Sequence, residues 1–136
     1  MVYLALGTMI PEKLLDRLTE VGLVRVFFGI ESITSDFQEL NPKKISKKLG
    51  NDFISSLEKK GISYHIGFML FYPTIEHKNI EVNIEYLWEI NKLFRLGVIR
   101  EKMRILPGSP NSSLLITNDE SIDQAYNYHF SDLQTS

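Results

Sequence analysis

Three glycines, each at the end of an amphipathic segment, constrain the fold of this chain more than any other feature. Gly22, Gly61 and Gly97 are each followed at once by an apolar residue that opens a strand-like run. Glycine often ends a helix, because it adopts a left-handed backbone conformation without a steric penalty. A repeated series of strand, helix and strand requires crossover connections, which join parallel strands. The pattern therefore predicts an α/β fold with a parallel sheet.

Hydrophobic spacing places the predicted elements along the chain. Strands are predicted over residues 2–7, 23–31, 62–71 and 98–106, with a polar connection over 34–44 and a short helix near 121–130. Helices are predicted from Pro11 to Gly22, between Ser46 and Gly61, and from Thr74 or Glu76 to Gly97. The apolar residues predicted to lie on the buried side of the last helix are Ile80, Ile84, Leu87, Trp88, Ile90 and Phe94.

Composition narrows the classes of partner. The chain has 136 residues, which suits one small domain, and 43% of them are apolar, as in globular proteins. A net charge of -2 gives no reason to expect nucleic acid or an anionic membrane as a partner. The strongly apolar run over residues 66–72 is too short to span a bilayer, and the N-terminus does not resemble a signal peptide. A cytoplasmic location is therefore expected.

Polar and turn-forming residues follow three of the predicted strands. Glu31 and Ser32 follow the second strand, residues 71–73 close the third, and residues 107–109 (Pro-Gly-Ser) follow the fourth. In a parallel β/α fold these strand ends lie side by side and form a rim where ligands bind. A purely structural interpretation is also open, in which Glu31 caps a loop or pairs with a lysine and the Pro-Gly pair is only a turn.

No self-sufficient catalytic motif is visible in the sequence. His65, His77 and His129 are dispersed and lack metal-ligand spacing. His65 alternates within a predicted strand, so it is either a core residue or one that lines a ligand. There is no nucleophile elbow, P-loop or dinucleotide-binding glycine motif. The absence of cysteine excludes a disulfide, a thiolate zinc site and a cysteine-ligated iron–sulfur cluster built from this chain alone.

Four segments, taken in order, resemble the radical S-adenosylmethionine (radical SAM) enzymes. They are VRVFFGIES, LNPKK, LEKKGISYHIGFMLFYPTIE and MRILPGSP. In that family a strand ending in Gly-Ile/Val-Glu/Gln-Ser is followed by a leucine and an Asn-Lys-like pair. A helix, a glycine-containing strand and a later Pro-Gly-Thr-Pro-like turn come next. The resemblance covers about residues 1–112 and is closest to the group that often carries a cobalamin-binding domain.

The resemblance implies both a fold and a cofactor. The four strands would be the third to sixth of six, so that residues 1–112 are parallel β/α units of an incomplete TIM-like (radical SAM) barrel and 113–136 are an extension. The cofactor would be S-adenosylmethionine. The residues that the resemblance assigns to its binding are Glu31, Ser32, His65, Tyr72, Pro73 and Ser109. The family usually has glycine where Phe71 or Tyr72 stands, and a bulkier residue there would change how closely the cofactor approaches.

Two family features are missing. The family holds its 4Fe-4S cluster with a C-x-x-x-C-x-x-C loop and has a Gly-Gly-Glu-type stretch after its second strand, and this chain has neither. A cluster is therefore expected only if a cysteine-bearing segment is supplied elsewhere. The chain is expected to be the C-terminal part of such a domain, as a fragment or a truncated form, and to be inactive alone.

Three interpretations of function stay open at this point. In the first, the chain is part of a radical SAM-like enzyme whose partner is the missing N-terminal barrel segment. In the second, it is a non-catalytic half-barrel that forms a homodimer through its sheet edges. In the third, it is an independent α/β enzyme in which Glu31 acts as a general acid or base. The sequence names no substrate.

Overall fold

The computed structural model describes residues 2–4, 10–40, 45–94, 102–109 and 111–112. Within these ranges the elements are β1 (Val2–Leu4), α1 (Glu12–Glu20), β2 (Arg25–Glu31), α2 (Ser35–Leu40), α3 (Lys47–Lys59), β3 (Ser63–Phe68) and α4 (His77–Glu89). The chain divides into two compact units, residues 1–68 and 69–136. The first unit contains all three strands. Among the described residues, no helix has the length and apolar character needed to cross a bilayer.

The three strands form one parallel sheet in the order β1-β2-β3. Phe27 on the central strand aligns with Tyr3 on one side and with His65 on the other. Parallel strands joined by helices are the arrangement that the glycine pattern predicts. The predicted α/β fold class is therefore confirmed.

One face of the sheet is buried under helices. Val26, Phe28 and Ile30 of β2 are at most 1% exposed, whereas the residues between them are half-buried. The Phe28 ring meets Phe53 of α3 edge to face, with ring centroids 4.9 Å apart. Leu57, one turn further along α3, is also fully buried. Burial therefore alternates along β2, because successive side chains of a strand point to opposite faces of the sheet.

Two of the three predicted glycine helix ends are confirmed. Gly22 after α1 has φ +97° and Gly61 after α3 has φ +66°. In both cases the next amide reaches back into the helix: Leu23 N donates to Leu18 O at 2.8 Å, and Ile62 N donates to a carbonyl of α3 at 2.9 Å. This pairing satisfies carbonyl groups that a helix end otherwise leaves without partners.

The third helix end differs from the prediction. α4 ends at Glu89, and Asn91 adopts the left-handed conformation with φ +58°. Lys92 N donates to Leu87 O at 2.8 Å, which closes this helix in the same way as the other two. Asparagine tolerates this conformation better than most residues. Gly97, the predicted end, lies outside the described residues.

The predicted buried side of α4 is partly wrong. Leu87 is fully buried together with Tyr86 and Asn83. The exposed residues among those predicted to be buried are Ile84 at 36%, Trp88 at 63% and Phe94 at 79%. At about 100° per residue, Tyr86 and Leu87 lie within about 60° of Asn83 around the helix axis, whereas Trp88 lies about 140° away from it. The stripe spaced at 83, 86 and 87 defines the buried side.

Three further boundaries differ or lie outside the described residues. The predicted polar connection contains α2, where Phe37 is buried at 3% exposure and anchors the short helix. β3 ends at Phe68, and Phe71 instead forms an isolated parallel bridge with Lys102. Lys102 belongs to the predicted fourth strand, of which residues 102–106 are described and form isolated bridges instead of a continuous strand; residues 98–101 lie outside the described ranges. Residues 5–9 of the predicted first strand and the helix near 121–130 also lie outside the described ranges.

Tyr86 predicts a loss of stability at alkaline pH. Burial, with a smaller contribution from the charge of Glu89, raises the pKa of Tyr86 to about 12. An unfolded tyrosine ionises near pH 10, so this stabilisation is complete below pH 10 and is lost as the pH rises towards 12. We expect a loss of about 2–3 kcal/mol across that window. Urea titrations at several pH values would measure it.

The matched control is Tyr86→Phe, which has no hydroxyl to ionise. It is needed because the pKa of Lys60 is also raised, chiefly by its hydrogen bond to Asp16, and this ion pair weakens in the same alkaline range. The ion pair is common to both proteins and cancels in the difference. An equal alkaline loss in both proteins would contradict the assignment to Tyr86.

Candidate functional site

The second face of the sheet carries a row of aromatic rings. Tyr3, Phe27 and His65 come from three adjacent strands at the same register position. The Tyr3 and Phe27 ring centroids are 5.3 Å apart, and those of Phe27 and His65 are 5.7 Å apart with planes inclined by 22°. Tyr3 is 69% exposed. We call the side of the sheet that bears Tyr3, Phe27, Gly29, His65 and Gly67 the open face.

Beside the aromatic row lies a pair of glycines. Gly29 of β2 aligns directly with Gly67 of β3. A Cβ atom on Gly67 would lie 3.1 Å from Phe27 Cζ, and one on Gly29 would lie 2.9 Å from Glu31 Cδ. The Phe27 ring and the Glu31 carboxylate therefore occupy the space above the two glycines. A larger residue at position 29 would displace the carboxylate.

Glu31 has a backbone conformation that is rare for a residue with a side chain. The register shifts between Gly29 and Glu31, which leaves Ile30 as an extra residue opposite β3. Ser32 N donates to Ile30 O at 2.9 Å across Glu31, whose φ is +65°. This is a γ-turn with a positive central φ, a strained arrangement that costs on the order of 1–3 kcal/mol. The turn directs the Glu31 side chain back along the open face.

Two buried hydroxyl groups brace the segment after the turn. Ser32 Oγ and Thr34 Oγ1 are 2.9 Å apart, and Thr34 N donates to Ser32 Oγ at 3.3 Å. Ser32 is 1% exposed and Thr34 is 4% exposed. The Ser32 hydroxyl is therefore engaged inside the first unit, where it fixes the chain just beyond Glu31.

The other predicted site residues belong to the second unit. Tyr72 is fully buried and Pro73 is buried, so neither side chain is displayed at the surface. Ser109 ends a turn in which its amide donates to Leu106 O at 3.1 Å and Gly108 has φ +74°. Proline followed by a left-handed glycine is typical of a type II turn. The predicted Pro-Gly turn is therefore present.

Of the six predicted residues, three belong to the first unit. Glu31 and Ser32 lie at the C-terminal end of β2, and His65 lies in the aromatic row of the neighbouring strand. Their assignment to a cofactor, like that of the three residues in the second unit, stays a prediction. Sequence reasoning missed Phe27 and the glycine pair, although the spacing of Phe27, Gly29 and Glu31 at every second position of a strand is the signal that places them on one face.

The described residues do not provide a metal centre. They contain no group of three or more His, Cys, Asp or Glu side chains that could bind a metal ion. A 4Fe-4S cluster is held by cysteine thiolates, and the whole sequence contains no cysteine. The residues present therefore do not fit that cluster.

Comparison with known proteins gives one structural relationship. No protein-family model matches the chain, and a search of curated proteins also finds no match. Among solved structures, the chain is similar to apo, selenomethionine-labelled OxsB, a cobalamin-dependent S-adenosylmethionine radical enzyme. The TM-score is 0.65 and the sequence identity 19%, and the match covers 82% of this chain but 22% of the OxsB chain. The likeness shows a shared fold.

Proposed function

We propose that the chain is the C-terminal part of an incomplete TIM-like radical SAM barrel and contributes part of the rim that binds S-adenosylmethionine and substrate. The observation that carries this proposal is Glu31. A strained turn at the C-terminal end of the central parallel strand directs its carboxylate along the open face. Strained backbone is typically retained where function requires it. The fold shared with a radical SAM enzyme supports the same interpretation.

The open face has groups that suit S-adenosylmethionine. The aromatic row offers flat apolar surface to an adenine ring. Gly29 and Gly67 have no side chains of their own, which leaves room for the Glu31 carboxylate and the Phe27 ring to lie over the sheet. Glu31 supplies a hydrogen-bond acceptor beside them. S-adenosylmethionine would supply the reactive group, and these residues would bind and orient it.

The cluster that this family uses would have to be bound by cysteines outside these 136 residues, because the sequence has none. A cysteine-bearing N-terminal barrel segment is the expected partner. By this proposal the chain alone binds a ligand and does not carry out the reaction.

Calorimetric titration with S-adenosylmethionine tests the proposal. We expect saturable binding by the wild-type chain and at least about tenfold weaker binding by Glu31→Ala, because the carboxylate contact is lost. Glu20→Ala is the matched control, since Glu20 is an exposed glutamate of the first unit in α1. A folded wild-type chain that binds no S-adenosylmethionine would refute the proposed function, as would equal binding by the wild type and Glu31→Ala.

The exposure of Tyr3 favours a second candidate. Tyr3 lies on β1, an outer strand of the described sheet, with 69% of its surface exposed. A half-barrel that pairs with a second copy through its sheet edges would cover this ring. Sedimentation at high concentration distinguishes the candidates, because a monomer throughout the concentration range would reject self-association.

A further inference from the structure

We propose that the side of α1 that carries Leu14 and Val21, the outer side, is a docking surface for a second amphipathic helix with acidic residues beside its apolar stripe. This deepens the proposed function, on which it rests for the identity of the partner. The partner is the proposed barrel segment, and the outer side is the surface that a helix of that segment would contact. The contact does not require S-adenosylmethionine.

The apolar face of α1 is only partly covered. At about 100° per residue, the four apolar residues of the helix and its C-cap fall within an arc of about 120° around the axis. They are Leu14, Leu15, Leu18 and Val21. Val21 keeps the helical spacing, because its amide donates to Arg17 O at 3.2 Å. Leu15 is 1% exposed, whereas Leu14 is 47% exposed and Val21 81%. One edge of the arc is therefore buried, and the other edge, the outer side, faces solvent.

The outer side is turned away from α3. Lys60, the C-cap residue of α3, forms ion pairs with Glu12 and Asp16 of α1. These two carboxylates lie about 140–180° around the α1 axis from Leu14 and Val21. The residues of α1 that contact the end of α3 and the residues of the outer side are therefore on opposite sides of the helix.

The sheet ends in the same direction. β1 is an outer strand of the described sheet, and α1 connects it to β2, whereas α2 and α3 connect β2 to β3. Helices of successive parallel β/α units pack side by side, with axes about 8–10 Å apart. Since α3 lies towards β3, the outer side of α1 lies towards the outer edge of β1. A further β/α unit at this edge would place its helix against the outer side and its strand beside β1.

The charges beside the outer side indicate the chemistry of the docking helix. Arg17 is three residues from Leu14 and four from Val21, so it adjoins both on the helix surface. Around the axis from Val21, away from the buried edge, Arg17 comes first at about 40°, then Lys13 at about 80° and Glu20 at about 100°. Acidic residues on the docking helix would pair with the two nearer, basic residues. A second copy of α1, packed through the same side, would bring like charges together, so the charges favour an acidic partner.

An NMR titration of the full chain tests the proposal. The probe is a synthetic amphipathic peptide of about 18 residues, long enough to form a helix, with a leucine stripe flanked by glutamates. The control peptide has lysines in place of the glutamates. We expect the glutamate peptide to shift the amide signals of Leu14, Arg17 and Val21. It should bind about threefold to fivefold more tightly than the lysine peptide, because it pairs with the basic residues.

Two matched pairs of variants separate the apolar and the charged contributions. Leu14→Ala should weaken binding of the glutamate peptide by about threefold to tenfold, because apolar contact is lost. Val82→Ala is its control, since Val82 on α4 is a comparably exposed apolar residue at 42%. Arg17→Glu should reverse the preference in favour of the lysine peptide. Lys59→Glu should leave the preference unchanged, although Lys59, like Arg17, is the basic residue in the last turn of its helix.

Several outcomes would overturn the proposal. They are no binding of either peptide, equal binding of the two by the wild type, an unchanged preference in Arg17→Glu, and signal shifts confined to other parts of the chain. Concentration-dependent shifts at Leu14 and Val21 without peptide would also overturn it, because a second copy would then cover the outer side. None of these titrations contains S-adenosylmethionine, so their failure would be distinct from a failure of the proposed function, which calorimetry measures.

Discussion

Phe28→Ala is expected to lower the free energy of unfolding by about 3–5 kcal/mol, the usual cost of truncating a buried phenylalanine. Phe28 is fully buried on the central strand and meets Phe53 edge to face. Removing the ring leaves a cavity against α3 and removes a favourable aromatic pair. Small domains are typically stable by only about 5–15 kcal/mol. A change of this size should therefore be plain in urea unfolding followed by circular dichroism.

Phe27→Ala is the matched control, because it removes the same ring from the next position of the same strand. Phe27 is half-buried on the open face, so its loss should cost only about 1 kcal/mol. Equal costs for the two substitutions would contradict the assignment of one buried and one open face to the sheet.

Glu31→Gly and Glu31→Ala are expected to be equally poor at binding S-adenosylmethionine but to differ in stability. In an ordinary strand, glycine is less stable than alanine by about 0.5–1 kcal/mol. At φ +65° the order should reverse, because alanine keeps the steric conflict that glycine avoids. We expect Glu31→Gly to be more stable than Glu31→Ala by about 1 kcal/mol.

Thermal and urea unfolding of the two variants would measure this difference, and calorimetry on the same samples would measure binding. The comparison isolates the backbone contribution, since both variants lack the carboxylate. If alanine proved the more stable, the γ-turn would not be strained. Glu31 would then carry no backbone strain that marks it as a residue kept for function.

The parts of the fold that were predicted correctly depend on local chemistry. The glycine endings of α1 and α3 follow from the freedom of Gly22 and Gly61 at positive φ, and Ser46 accepts a hydrogen bond from Leu49 N at 3.1 Å as a helix cap. The error in the predicted end of α4 also comes from the backbone conformation of a single residue. Asn91 adopts the left-handed conformation six residues before the predicted Gly97. Glycine is the more common residue at a left-handed helix end, so Gly97 was predicted there and Asn91 was not.

The place of Glu31 at the end of a strand was predicted, but its backbone conformation was not. Glu31 could be located because it follows an apolar strand, where the polarity changes sharply. Its γ-turn depends on a shift of register against β3, and pairing between strands distant in sequence is not readable from either strand alone. The exposure of Trp88 was not predicted either. Trp88 is apolar and directly follows the buried Leu87, so the hydrophobic pattern alone does not separate the two.

The alternation along β2 also has a consequence for engineering. Positions 27 and 29 face away from the core, while positions 26, 28 and 30 are buried. A combinatorial library restricted to the open face would therefore vary the surface proposed to bind the ligand and leave the buried packing intact. Selection from such a library could retune ligand preference with little loss of folded protein, provided that position 29 stays glycine wherever the Glu31 carboxylate is kept.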